Sequence, residues 1–135
     1  MTWQPEPSLR VRASYVFTNP KVKKAADPSL EGKLLAQTPE NVVTAAIDWT
    51  PVPRWRLTAQ VRWGDRQFED DQNSRVLAPF TTVDAALSYD FSAHLSAALR
   101  VENLFDEQVE TGKSADGLVS IGAPRLVWIR LHWQL

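Results

Sequence analysis

The chain has no cysteine, which excludes disulfide frameworks and thiolate metal sites and leaves the redox compartment open. It has no basic excess: 15 Lys and Arg stand against 16 Asp and Glu, for a net charge of -1. With so little to displace phosphate counterions, nucleic acid is not an expected partner. No apolar run approaches the roughly 18 residues that a spanning helix needs, and the mean hydropathy is -0.29. That absence leaves barrel strands untouched, because they show only every second residue to lipid and barely register in an average. The first residues, Met1 to Pro7, lack the basic start and apolar core of a signal peptide, so an exported protein is expected to extend beyond this piece. At 135 residues, 44% hydrophobic and 23% charged, the chain has the length of one domain and not the composition of a disordered tail.

What the sequence does have is period two. In the last stretch Val127, Ile129, Leu131, Trp133 and Leu135 share one side, while Arg130, His132 and Gln134 share the other; Trp128 is the only large apolar residue on the polar side. The same alternation places Leu9, Val11, Ala13, Tyr15 and Phe17 on one face of residues 8–18. It recurs through Val43 to Trp49, Trp55 to Trp63, Val83 to Phe91 and Leu95 to Val101, giving six strands in all. Residues 19–39, 69–79 and 106–124 are polar, the first and third interrupted by Pro and Gly, and predict three long loops; Pro51-Val52-Pro53 and Ser92-Ala93-His94 predict tight turns.

The connections therefore run long, short, long, short, long. In an up-and-down antiparallel sheet all long loops then share one rim and all tight turns the other, the asymmetry of transmembrane barrels. Trp49, Trp55, Tyr89, Phe91 and Trp133 lie on the apolar face near the short-turn end, as an interfacial girdle requires, and Tyr15, Phe17 and Trp63 would begin the opposite one. The other face mixes signs, with Arg10, Arg12, Arg56, Arg62, Arg100 and Arg130 against Asp48, Asp84, Asp90 and Glu102. Period two alone does not say which face is covered, so this face fits a watery lumen or the solvated side of a soluble sheet.

No catalytic constellation is visible. His94 falls in a turn and His132 on the polar face, without ligand spacing between them. Glu69-Asp70-Asp71 lacks the spaced oxygens and glycine of a calcium loop and reads as a solvated charge run. Asp84 with Asp90 or Glu102 lies among arginines, where ion pairing is the plainer role. Gly112, Gly117 and Gly122 precede no helix and so make no phosphate loop. Lys21, Lys23 and Lys24 with Arg75 on the long-loop rim offer an anionic ligand or lipopolysaccharide some attraction, though generic solubilising charge is the plainer explanation. Asn103 is expected on the apolar face near the long-loop rim, its amide bonded to loop backbone and shaping the turn. No enzyme activity, metal or cofactor is expected.

Val101-Glu102-Asn103-Leu104-Phe105-Asp106-Glu107, followed after one long loop by Ile121-Gly122-Ala123-Pro124-Arg125 and the terminal strand, resembles the C-terminal end of a TonB-dependent outer-membrane receptor. In that family an Asn-Leu-Phe-Asp element ends the penultimate strand and a Gly-x-Pro-Arg element opens the last. Leu30-Glu31-Gly32-Lys33 with Pro39 resembles the loop before an upstream barrel strand, and Leu135 stands where the family more often ends in Phe. The resemblance implies an all-β antiparallel meander in which residues 1–135 are the C-terminal segment of a barrel of about 22 strands, with the plug and earlier strands absent. It further implies the outer membrane of a Gram-negative bacterium and import of siderophore-iron, cobalamin or a similar nutrient. The implied partners are outer-membrane lipid, the rest of the barrel and plug, the TonB system acting through that plug, and the barrel-assembly machinery. Six strands are fewer than the roughly eight of the smallest closed barrel, so transport by this chain alone is not expected. The competing readings are a soluble β-sandwich or small barrel that binds an apolar ligand, and a small pore closed by several copies.

Overall fold

The computed structural model describes residues 1–134. Its framework is one antiparallel sheet of seven strands: β1 (Thr2–Glu6), β2 (Leu9–Phe17), β3 (Asn41–Trp49), β4 (Trp55–Gly64), β7 (Phe80–Asp90), β8 (Leu95–Glu102) and β11 (Leu126–Trp133), paired in that order. Two hairpins, β5 (Gln67–Phe68) with β6 (Val76–Leu77) and β9 (Glu110–Lys113) with β10 (Val119–Ile121), interrupt the second and third long connections. A single 3-10 turn, Pro28–Leu30, capped by the Asp27 side chain, lies in the first. The meander is therefore the expected one with an additional strand at its start.

β1 escapes the alternation because Pro5 and Pro7 interrupt it. At a sheet edge a proline has no ladder bond to lose, and the register slips between Trp3 and Glu6 to accommodate the irregularity. The other six strands of this sheet run without a slip. Leu9, Trp49, Leu57, Leu87, Leu99 and Ile129 form one unbroken row across six strands. Arg10, Asp48, Thr58, Ala86, Arg100 and Trp128 form the adjacent row on the opposite face.

The sheet has no core. Ile129 is 79% exposed and Leu99 45%, and among the described residues the only buried hydrophobic side chain is Leu77, in the loops. A soluble sandwich needs a second layer over the apolar rows, and the described residues supply none. The margins, β1 and β11, each pair on one side only, so the sheet is not closed. From Trp55 to Trp63 the strand advances about 27 Å at roughly 3.4 Å per residue, or about 21 Å along the normal at a tilt near 40°, close to the apolar band of a membrane barrel.

Candidate functional site

The apolar face carries its large rings at its two ends. Trp55 and Tyr89 are register partners with centroids 4.7 Å apart, and Phe91 meets Tyr89 edge-on at 4.9 Å. Trp49 ends β3 at the same level and Trp133 stands opposite Leu95, so all five rings lie at the short-turn end. At the long-loop end the Tyr15 hydroxyl donates to Asn41 Oδ1 at 2.7 Å, and the Asn41 amide donates to Asp65 at 3.0 Å. Trp63 lies opposite Val43 and Thr81. Between the two levels the rows consist of Ala, Val, Leu and Ile, for instance Val11, Ile47, Ala59, Ala85, Val101 and Val127.

The polar face pairs part of its charge. Arg12 bonds Asp48 across strands at 2.9 Å and Arg100 bonds Glu102 along β8 at 3.0 Å. Asp84 accepts from the Asn103 N–H at 2.9 Å. These contacts occupy Glu102 and Asp84, so the carboxylates serve as ion-pair and backbone partners. Cross-strand distance alone does not make them an acid and a base. Arg62 lies 5.5 Å from the centre of the Phe80 ring. That ring covers Gly64 so closely that a Cβ there would sit 2.7 Å from it. A shallow cavity of about 240 Å³ is lined by Arg12, Asp48, Gln60, Asp84 and Arg100, from five neighbouring strands. Trp128 faces Arg100 across β8 and β11 and lines a groove that also includes Arg130.

The two histidines, unrelated by spacing in sequence, share one cavity at the short-turn end with Arg54 and Asp90. Register explains it: Asp90, Ser96 and His132 are consecutive partners across β7, β8 and β11, and His94 lies in the turn beside them. Among the described residues no three His, Cys, Asp or Glu side chains gather as metal ligands do.

At the long-loop end, the family-like elements form a single knot. Asn103 adopts a left-handed φ of 50° and is 7% exposed, so it ends the strand alternation and turns into the loop instead of lying on the apolar face. Its amide nitrogen donates to Glu107 O at 2.9 Å and Ala123 O at 3.3 Å, and its oxygen accepts from Glu107 N–H at 2.9 Å. The Leu104 N–H donates to Val83 O at 2.7 Å. Asp106, at φ 56°, accepts from Arg125 N–H at 2.8 Å, and the Arg125 guanidinium reaches Leu104 O at 3.5 Å. Gly122 sits where a Cβ would press on Thr111 at 3.3 Å, Pro124 follows it, and Phe105 points out, 72% exposed. The two ends of the third loop are thus tied together by the motif residues themselves.

The long loops are ordered beyond what their composition suggests. Asp70, read in sequence as part of a solvated charge run, accepts from Ser74 N–H (2.7 Å), Ser74 Oγ (2.6 Å) and Arg75 N–H (3.1 Å) and pairs with the Arg75 side chain at 3.4 Å. Those bonds, Ser74 first, hold its carboxyl below the ordinary 3.8. Asp27 in the first loop and Asp116 in the third are lowered in the same way, by bonds from Ser29 and Ser114. Asn73 and Glu110, which the sequence did not single out, join the loops to one another. The Leu34 N–H donates to Asn73 Oδ1 at 2.7 Å, the Asn73 amide donates to Leu34 O at 2.8 Å, and the Ala78 N–H donates to Glu110 at 2.9 Å. The only sequence signal for Asn73 is that Asn tolerates the left-handed φ of 56° it adopts; Glu110 gives none.

On β11, Val127, Ile129, Leu131 and Trp133 face outward and exposed, while Leu135, expected to complete that row, lies outside the described residues. One uncovered meander, apolar rows between two levels of rings, a charged opposite face, and tight turns and long loops at opposite rims together define a transmembrane β-barrel sheet. The family model described as TonB dependent receptor-like, beta-barrel matches residues 1–104, and the chain belongs to that family, whose place is the outer membrane of Gram-negative bacteria. It is 27% identical over 134 residues to the ferrioxamine B receptor of Salmonella typhimurium (strain SL1344), covering 93% of this chain and 19% of that one. It is 29% identical over 109 residues to the ferrichrome outer membrane transporter/phage receptor of Escherichia coli (strain K12), covering 75% of this chain and 14% of that one. The chain thus spans about a fifth or less of the length of these relatives. Among solved structures, the siderophore receptor PiuA from Acinetobacter baumannii superposes with a TM-score of 0.84 at 15% identity, over 98% of this chain and 20% of that one. This is a family of transporters and receptors, not of enzymes.

Proposed function

We propose that residues 1–135 are the C-terminal barrel segment of a receptor that imports ferric siderophores in a TonB-energised cycle. The observation that carries this reading is the uncovered apolar face, continuous over six strands in unbroken register. Trp49, Trp55, Tyr89, Phe91 and Trp133 serve as the periplasmic girdle, each ring keeping its body in hydrocarbon and its edge among headgroups. The charged face lines the lumen against the plug, through which the TonB system acts. Val127, Ile129, Leu131, Trp133 and Leu135 present the closing strand to the barrel-assembly machinery. Asn103, Leu104, Asp106, Gly122, Pro124 and Arg125, with the exposed Phe105 among them, hold the last long loop at the outer rim, where it contributes with the other two to ligand capture. Siderophore-iron is preferred to cobalamin because the relatives include the ferrioxamine B and ferrichrome receptors.

The test is uptake of radioactive iron as ferrioxamine B and as ferrichrome by the producing bacterium, with and without the gene. Loss of one uptake, restored by the intact gene, is the expected result; unchanged iron uptake with impaired cobalamin uptake moves the substrate class. Fractionation addresses the barrel itself. The chain should stay with urea-washed outer membranes and need detergent to leave them, whereas release as a soluble monomer would return the sandwich reading. The two open margins also permit several copies to close one ring, and a multiple subunit mass in detergent would select that arrangement.

A further inference from the structure

The three long loops differ in sequence and are far apart along the chain, yet a chain of polar contacts connects them. Asn73 pairs with the peptide of Leu34 through both ends of its amide, Oδ1 accepting at 2.7 Å and Nδ2 donating at 2.8 Å. A side-chain amide used in this way reproduces one rung of an antiparallel ladder between backbones that never come together as strands. Both partners of the rung are braced. Asn73 sits in a turn fixed by Asp70, which accepts three bonds from Ser74 and Arg75. Leu34 belongs to a first loop folded back on itself, with Val22 N–H donating to Lys33 O, Leu35 N–H to Pro20 O and Gly32 N–H to Val22 O, each at 2.9 Å. The stretch with Lys21, Lys23 and Lys24 is therefore carried by Leu34. Gln37 adds its N–H to Phe68 O at 2.6 Å and its side chain to Glu69 at 3.1 Å.

The second loop is joined in turn to the third. The Ala78 N–H donates to the Glu110 carboxylate of β9 at 2.9 Å, and the neighbouring Leu77, on β6 against β9, is fully buried. Among the described residues, the one hydrophobic side chain wholly shielded from solvent thus lies in the loops and not in the sheet.

We propose that the three loops form one cap that moves as a unit, in which Asn73 is the positioning residue that fastens the lysine-bearing first loop to the second, and Leu77 with Glu110 carries the displacement to the third. The cap's place over the outer mouth rests on the proposed function; the coupling among the loops does not. Cooperative opening of this kind is read directly by amide exchange.

The experiment is hydrogen exchange on the full chain in native outer membranes, comparing wild type with Asn73→Gly, Asn73→Asp and Glu110→Ala. Glycine suits the left-handed backbone at least as well as asparagine, so a role limited to turn shape leaves Asn73→Gly at wild-type exchange and overturns the proposal. The coupling predicts instead that losing both bonds speeds the Leu34 amide by about tenfold and that the Ala78 amide, in the adjacent link, speeds with it. Asn73→Asp, which keeps an acceptor for Leu34 N–H and loses the donor, should fall between. Glu110→Ala, which removes the acceptor, should release Ala78 and raise exchange at Leu34 in its turn. Acceleration confined to the amide next to each substitution refutes the single cap. The amides of β3 and β4 serve as the control for global unfolding, and failure of the transport reading would leave these amide results unchanged.

Discussion

Gly64 and Phe80 show how little latitude a sheet of this kind has at a single position. The Phe80 ring lies on the bare backbone of Gly64, and a methyl group there would arrive at 2.7 Å from it. Gly64→Ala should therefore destabilise the sheet by about 1–3 kcal/mol, the usual range for overpacking. Adding Phe80→Leu should recover much of that loss in a double-mutant cycle measured by denaturant unfolding in detergent. Additive losses would show that the two side chains do not meet. Asn103 illustrates how far residue-scale reading reached. Its need for partners followed from an amide at the end of an apolar run, and the loop backbone supplies them. Its side was not legible, because the positive φ that turns it inward ends the alternation by which sides are assigned. Asn73 was invisible for a different reason: its partner is 39 residues away, and no local pattern signals it.

Strands and loops were legible to very different degrees. Six strands announce themselves because a face with one solvent and a face with another impose period two. β1 does not, since Pro5 and Pro7 erase the pattern where an edge tolerates them. The short hairpins β5–β6 and β9–β10 lie in stretches too polar and too brief to alternate. The faces themselves can be tested with one charge. Ile129→Arg, on the outward row of β11, should cost about 2–4 kcal/mol if that row meets the hydrocarbon midplane, whereas Thr58→Arg, on the charged face, should cost far less. Equal penalties in membrane-inserted refolding would contradict the assignment of faces. The loops have their own signature in acid. Asp27, Asp70 and Asp116 each have a carboxyl lowered below 3.8 by bonds to turn groups, one in each long loop. A lowered folded value means that the stabilisation is fully present above 3.8 and fades as pH falls through the folded value beneath it. Amide exchange corrected for its intrinsic pH dependence should show the loops loosening below pH 3.8 ahead of the strands. Asp70→Asn should remove the Asp70 share of that acid response, in the second loop and in the first loop that Asn73 joins to it.

The molecule as a whole is a surface with two solvents and two unfinished margins. β1 and β11 each offer unpaired backbone groups on one side, and hydrocarbon provides no water to satisfy them. Both margins should accordingly be paired to other strands in the membrane. The chain has no cysteine of its own, so single substitutions Gln4→Cys and Arg130→Cys, combined with cysteines scanned along the flanking strands of the assembled barrel, should give specific crosslinks in native membranes. Margins that form none, and whose amides exchange freely, would contradict a closed barrel. The class of this architecture was legible because the order of long and short connections is a whole-chain property, read without any contact. The loop cap was not, because it depends on contacts between segments that the same order keeps apart in sequence.

The rows that cross six strands without a slip also limit how such a chain can vary over evolutionary time. One amino acid inserted within β4 would exchange the environments of every later side chain in that strand, putting Arg62 into oil and Val61 into water. Changes of length should therefore accumulate in the rim segments and be purged from the staves, so that relatives drift in what they greet outside the cell while keeping the wall that holds them there.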